Sequence, residues 1–181
     1  MEVQIRILLV EDDAPLRRSL EKFLTNAGYY LYTCSDGREA LIVAQSFRPD
    51  ILIAEYHLPD ANGAVLLERL MRFVPDAVAV LISEYDFQSI ADEIVRVHVH
   101  GFLKKPFDLA ELETILISAC CQVRISMRNL EWNAEPAAKV YLPPLTRGKL
   151  SESSSRVDVE DYNQVRITSE NAIWLVSSDK K

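Results

Sequence analysis

The alternation of short apolar runs with helical repeats over residues 1–108 constrains this chain's fold more than any other feature. Ile5–Val10 is apolar except for Arg6, as a strand buried on both faces requires. Leu16, Leu20, Phe23, Leu24 and Ala27 then recur at helical spacing, with Pro15 in the first turn and Gly28 closing the segment. Tyr29–Cys34 is aromatic and β-favouring, which predicts a second strand, and Arg38–Phe47 predicts a helix stopped by Pro49. Ile51–Ala54 predicts a third strand. Gly63 opens a helix with Val65, Leu66, Leu67, Leu70 and Phe73 on its apolar side, and Pro75 follows its end. Ala77–Ile82 predicts a fourth strand, Phe87–Val97 a fourth helix, and Gly101–Lys104 a short fifth strand before Pro106. Five strands alternating with helices predict a parallel sheet covered on both faces.

From Asp108 the pattern turns helical and stays so. Leu109, Leu112, Leu116, Ala119, Val123 and Leu130 share one a/d register, with Ser126 the polar exception. A helix running to about Asn129 projects beyond so small a domain, at ~1.5 Å per residue. Its first half is expected to pack on the sheet, its second half to pair with another copy or lead into the tail. Residues 131–181 differ in kind: Pro136, Pro143 and Pro144 break helices, and Ser151–Ser155 is a polar linker. Val157–Val159, Val165–Ile167 and Ile173–Val176 have the stamp of short strands. They admit a small β unit, an extension of the sheet, or partial disorder. The expected divisions are residues 1–122 as the main domain, 123–155 as helix extension and linker, and 156–181 as a β-rich C-terminal segment.

Charge and apolar runs exclude several classes. The longest uncharged run, Phe23–Ser35, contains Thr25, Asn26 and Gly28 and is too short for a bilayer, which needs roughly 18 apolar residues. Ile5–Val10 is too short for a secretory h-region. Cys34, Cys120 and Cys121 form neither a CxxC motif nor a disulfide framework, so reduced thiols and a cytoplasmic location are expected. The net charge is −7, of which residues 131–181 contribute −1. Neither part has the basic excess of a nucleic-acid binder.

In an open parallel sheet, ligands bind outside the carboxyl ends of the strands. Those ends deliver Glu11 and Asp12 from the first strand, Glu55 from the third, Ser83 from the fourth and Lys105 from the fifth. With the first and third strands adjacent, three carboxylates are expected to converge, and a hard divalent cation such as Mg²⁺ would offset their charge. Without one, repulsion pushes at least one carboxylate toward protonation.

The runs ILLVEDD (Ile7–Asp13), PDILIAEYHLPDANG (Pro49–Gly63), LIS (Leu81–Ser83) and GFLKKPF (Gly101–Phe107) resemble those of bacterial two-component response-regulator receiver domains, over roughly residues 3–122. The resemblance implies a flavodoxin-like (βα)5 fold with strand order 2-1-3-4-5. It implies Mg²⁺ ligation by Glu11, Asp12 and the backbone carbonyl of His57, and phosphoryl contacts from Ser83 and Lys105. It also implies a cis Lys105–Pro106 bond and Phe102 as the aromatic whose rotamer follows activation; Phe102 is equally a plain core residue. The family's phosphoacceptor is aspartate, and here Glu55 stands in its place. Glutamate moves the nucleophilic oxygen by up to ~1.5 Å. An error near 1 Å costs ~100-fold in positioned chemistry.

Glu55 therefore either imitates a phosphorylated aspartate or marks a lost switch. An inward Phe102 with a Glu55–Lys105 contact favours the first, an outward Phe102 over an empty pocket the second. Glu84 replaces a small residue of the family pattern and would repel a phosphoryl donor. His98 stands where the family often has glycine, so the loop before the fifth strand is expected to be altered, and Asp13, His98 and His100 are otherwise expected to be incidental. The expected function is a non-enzymatic pseudo-receiver working through protein contacts, with a histidine kinase or effector as partner. A homodimer would use the fourth helix, fifth strand and fifth helix, or the extended fifth helix. The alternatives are a phosphorylation-controlled regulator with a C-terminal, DNA-binding effector, and a metal-dependent hydrolase built on Glu11, Asp12 and Glu55.

Overall fold

The computed structural model describes residues 4–131 and 172–174, with side chains described through Val123. Strands β1 (Arg6–Val10), β2 (Tyr30–Cys34), β3 (Ile51–Glu55), β4 (Val78–Ser83) and β5 (Gly101–Lys104) alternate with helices α1 (Ala14–Asn26), α2 (Gly37–Phe47), α3 (Gly63–Met71), α4 (Phe87–Val97) and α5 (Leu109–Glu131). The first five strands are parallel in the order β2-β1-β3-β4-β5, the expected flavodoxin-like (βα)5 arrangement. A sixth strand, β6 (Ala172–Trp174), adds antiparallel to β5. Its Ile173 and Trp174 belong to the run expected at Ile173–Val176 and extend the sheet, the rest of that run lying outside the described residues. The runs Val157–Val159 and Val165–Ile167, and the linker between them and α5, lie outside the described residues.

Period-two alternation sorts the strand residues into two cores. Ile7, Leu9, Ile51, Ile53, Val80 and Ile82 face α1 and α5. Leu8, Val10, Leu52, Ala54, Ala79 and Leu81 face α2, α3 and α4. Both sets are essentially inaccessible, which is why these strands are apolar without a break. Burying each such side chain contributes roughly 1.5–3 kcal/mol before entropy is counted.

On α5 the buried face is Leu112, Ile115, Leu116, Ala119, Cys120 and Val123. Ile115 and Cys120 widen the expected a/d seam to a sheet-facing stripe, and Leu109 is left exposed at the first turn. Phe73 is also exposed, because α3 ends at Met71 before the apolar side reaches it.

Local signals set the helix ends. Asp13, Asp36 and Asn62 cap α1, α2 and α3, accepting from the amides of Leu16, Glu39 and Ala64. This accounts for Asp13, whose carboxylate is spent on the cap. Gly28 takes a positive φ of 88° just past α1. His98 ends α4 in the left-handed region at φ 56°, the conformation for which glycine is otherwise preferred. At the opposite edge of the sheet from the strand carboxyl ends, the Arg6 guanidinium and amide clamp the buried Asp50 carboxylate at 2.8–3.2 Å.

Candidate functional site

The carboxyl ends of β1, β3 and the segment after β5 meet at a cavity of about 610 Å³ lined by Glu11, Asp12, Glu55, His57, Glu84 and Lys105, among others. Each side chain arrives by strand geometry. Glu11 follows β1 and is fully buried, while Asp12, the next residue, turns out to solvent. Arg17 from the first turns of α1 holds this corner by donating to the carbonyls of Glu11 and Asp12. Glu55 is the last residue of β3, one position further into the strand than the apolar run alone predicts, and only 3% exposed. Lys105 is carried past the end of β5, its amide bonded to the Ser83 carbonyl at 2.7 Å and its peptide bond to Pro106 cis.

The Lys105 ammonium sits between the two buried carboxylates. Its Nζ lies 3.0 Å from Glu11 Oε2, donates to Glu11 Oε1 at 3.2 Å, and forms an ion pair with Glu55 Oε2. The other Glu55 oxygen, Oε1, accepts from the His57 amide at 3.1 Å, so both oxygens are engaged within the protein. Glu11 Oε2 and Glu55 Oε2 are buried without a directed hydrogen bond, and the charge of Lys105 is what compensates them.

The protonation equilibria follow from this geometry. Burial pushes the Glu11 carboxyl above its usual range, an effect that Lys105 only partly offsets and the nearby Glu55 charge reinforces. Burial alone would lower the Lys105 pKa. The contacts with Glu55 and Glu11 outweigh it, and the ammonium is held above its usual value.

The three carboxylates expected to converge, Glu11, Asp12 and Glu55, line one cavity. Among the described residues no group of three or more His, Cys, Asp or Glu side chains is arranged to hold a metal ion. Consecutive residues after a strand point in opposite directions, so Glu11 turns in and Asp12 turns out. The position between Glu11 and Glu55 belongs to Lys105. Glu11, Asp12 and the His57 carbonyl are the groups that would hold Mg²⁺, and in this arrangement Lys105 pairs with Glu11 and Glu55.

The remaining expected residues are placed as follows. Ser83 ends β4, is fully buried, and its Oγ accepts from the Tyr85 amide at 3.0 Å. Phe102 on β5 is turned inward at 2% exposure, edge-to-face against Phe87 at 5.7 Å. His57 is exposed at the cavity rim, and Glu84 lines the cavity next to Tyr85. His100 stands away from this pocket, 3.0 Å from Ser118 on α5, with burial lowering its pKa. His57, His98 and His100 do not form a metal-holding group.

Several supporting residues carry no one-dimensional signal. Tyr56 Oη and Asn62 Nδ2 both donate to Glu93 on α4, at 3.0 and 3.2 Å, which ties the loop after Glu55 to that helix. The Asp60 carboxylate accepts from the Gly37 and Arg38 amides at 2.9 and 3.0 Å, tying the same loop to the start of α2. Gly63 is required by contact: a Cβ there would lie 2.0 Å from the Glu55 carbonyl oxygen and 2.8 Å from its carbon. Backbone against backbone leaves no flexible group to yield. Gly63→Ala is expected to lower stability by ~1–3 kcal/mol and displace Glu55, read as a reduced urea midpoint with an unchanged m-value.

An open parallel sheet with helices on both faces, and a pocket of carboxylates and one lysine at the strand carboxyl ends, defines a doubly wound α/β domain with its site at the switch-point edge. Residues 7–117 match the response regulator receiver domain model, and the chain belongs to that family, the receiver domains of two-component signalling. It is 30% identical over 103 residues to the chemotaxis protein CheY of Thermotoga maritima, covering 56% of this chain and 86% of that one. It is also 30% identical over 114 residues to the transcriptional regulatory protein HptR of Staphylococcus aureus, spanning 61% of this chain and 44% of that protein. The chain thus matches less than half the length of the HptR relatives. Among solved structures, the signal receiver domain of an HD domain-containing protein from Pseudomonas fluorescens Pf-5 superposes with a TM-score of 0.64 at 28% identity. That likeness covers 68% of this chain and 99% of that one.

Proposed function

We propose that this chain is a receiver that signals without phosphorylation at the usual position, its Glu55 carboxylate standing where a phosphoryl group would otherwise engage Lys105. The observation that carries this reading is the Glu55–Lys105 ion pair in a domain whose Phe102 is already turned into the core. Three features support it. Oε1 of Glu55 accepts from the His57 amide and Oε2 pairs with the Lys105 ammonium, contacts with which an in-line attack by either oxygen would compete. Glu11, Asp12, Glu55 and Glu84 line the cavity against the single lysine, a field that repels anionic donors. Lys105 occupies the space between the carboxylates that a cation would need. The module then works through contacts with signalling proteins, a histidine kinase or an effector, and has no turnover of its own.

Incubation of the protein with acetyl phosphate and Mg²⁺, followed by intact mass measurement, is expected to leave the mass unchanged. One phosphoryl adduct mapped to Glu55 would overturn the proposal.

A second reading is favoured by the transcriptional regulator among the relatives: a phosphorylation-controlled regulator whose C-terminal segment is an effector. The likeness to HptR spans 114 residues, and residues 131–181 are close to neutral. DNA binding by the full chain that weakens as salt rises would favour this reading over the first.

A further inference from the structure

The outer edge of β5 is where the fold departs from its five-stranded plan. In a sheet of order β2-β1-β3-β4-β5, the last strand leaves a row of backbone donors and acceptors open to pairing. Here Gly101, Phe102 and Leu103 pair with Trp174, Ile173 and Ala172 of β6, antiparallel. The sequence that supplies β6, Ala172–Val176, is uncharged and carries β-favouring Ile173, Trp174 and Val176. It is one of three short apolar runs in the part of the chain that follows the polar Ser151–Ser155.

β5 is also the strand that serves the site. Phe102 faces the core from its middle, and Lys105 leaves its end for the carboxylate pocket. A strand seated on β5 therefore clamps the backbone that carries both residues, between β4 on one side (Leu81 opposite Phe102) and β6 on the other (Ile173 opposite Phe102).

We propose that the β5 edge is a strand-binding site, that this chain's own residues 172–174 fill it in cis, and that a partner using this edge must bring an extended segment that displaces them. Recognition would be β-augmentation, with main-chain hydrogen bonds giving affinity and alternate side chains giving selectivity. Tethering makes pairing of the internal strand intramolecular, so a free peptide of the same sequence competes poorly. The inference is independent of how Glu55 is read, since it rests on the strand pairing alone.

The test compares full-length wild type with Ala172→Pro and Ile173→Pro. Successive strand residues point their amides to opposite sides, so one of the two prolines removes a donor aimed at β5, and both disfavour the strand. Residue-resolved hydrogen exchange over Gly101–Leu103 is expected to speed up at least 10-fold at the amides facing β6, while those facing β4 stay protected. A synthetic peptide of residues 168–178 is expected to bind the more affected variant at least 10-fold tighter than wild type. Both variants should keep wild-type melting temperatures within a few degrees, because the two described cores are built from residues 5–123 and β5 stays paired with β4.

Unchanged exchange in both variants, or equal peptide binding by all three proteins, would overturn the proposal. Loss of a dimer on proline substitution, seen by sedimentation, would overturn the cis assignment and place the strand in a second copy.

Discussion

Lys105→Met is expected to cost about 3–5 kcal/mol of stability at pH 7, because it leaves two buried carboxylates facing each other with no cation. For a domain of this size the loss corresponds to a fall in Tm of roughly 10–20 °C. Methionine keeps the length and apolar stem of lysine, so the effect isolates the charge. Glu11 is fully buried and Glu55 nearly so, and water is poorly placed to substitute for the ammonium.

The pH dependence gives the prediction its sign. In the variant, repulsion and burial raise the pKa of one carboxylate in the folded state above its unfolded value. The folded state then binds more protons than the unfolded state between those two values, and stability falls as pH rises through that window. The gap in Tm between variant and wild type should therefore shrink from pH 7.5 to pH 5. In wild type, Glu11 already has a raised folded pKa and contributes a smaller fall of the same sign. Lys105, also raised, contributes stability that is complete below its unfolded value of about 10.5 and is lost as pH rises through its folded one. Adding Glu55→Gln to Lys105→Met should recover part of the loss, since one of the two stranded charges is removed. A Lys105→Met protein that melts within about 3 °C of wild type at both pH values would show that the pair is not held together as described.

The strand ends were legible because topology and chemistry agree there. Once the apolar runs are strands of a parallel sheet, Glu11, Glu55, Ser83 and Lys105 must lie at one edge, whatever their rotamers. At His98, where the family often has glycine, an altered loop was expected, and the backbone instead takes the left-handed conformation that glycine favours, at φ 56°. What failed was the direction of individual side chains. Glu11 and Asp12 are adjacent and chemically alike, yet one is buried and the other exposed, and only the path of the chain into α1 decides which.

Contacts between distant segments were equally silent. Nothing in the spacing of Tyr56, Asn62 and Glu93 announces that one carboxylate on α4 gathers two groups from the loop after β3. Gly63 reads as an ordinary first residue of a helix until the Glu55 carbonyl is seen against it. The β6 strand was one of three weak apolar runs, and its pairing with β5 depends on an open edge that only the assembled sheet creates.

If the proposed function holds, Glu55→Asp is expected to raise phosphoryl uptake from acetyl phosphate to one group per chain. Removing a methylene withdraws the carboxylate by up to ~1.5 Å along the direction of Lys105. The ion pair then lengthens, and Lys105 keeps Glu11 at 3.0 Å as its partner. An oxygen freed from the ammonium is available as a nucleophile, and the cavity already exists to admit a small donor. Since a misplacement near 1 Å is worth ~100-fold, the rate of adduct formation should rise at least ~100-fold over wild type in the presence of Mg²⁺. Glu84 adds a carboxylate to the cavity lining. Glu84→Ala added to Glu55→Asp should speed uptake a further few-fold at low salt, with the difference shrinking as salt screens the charge. Glu55→Gln is the control, because an amide removes the charge without supplying a nucleophile, and no adduct should form. The adduct should map to the new aspartate by peptide mass analysis after reductive trapping. If the Glu55→Asp, Glu84→Ala double variant stays unmodified while its fold is intact, the silence of the site lies in how Lys105 and Glu11 close it, and not in the extra methylene.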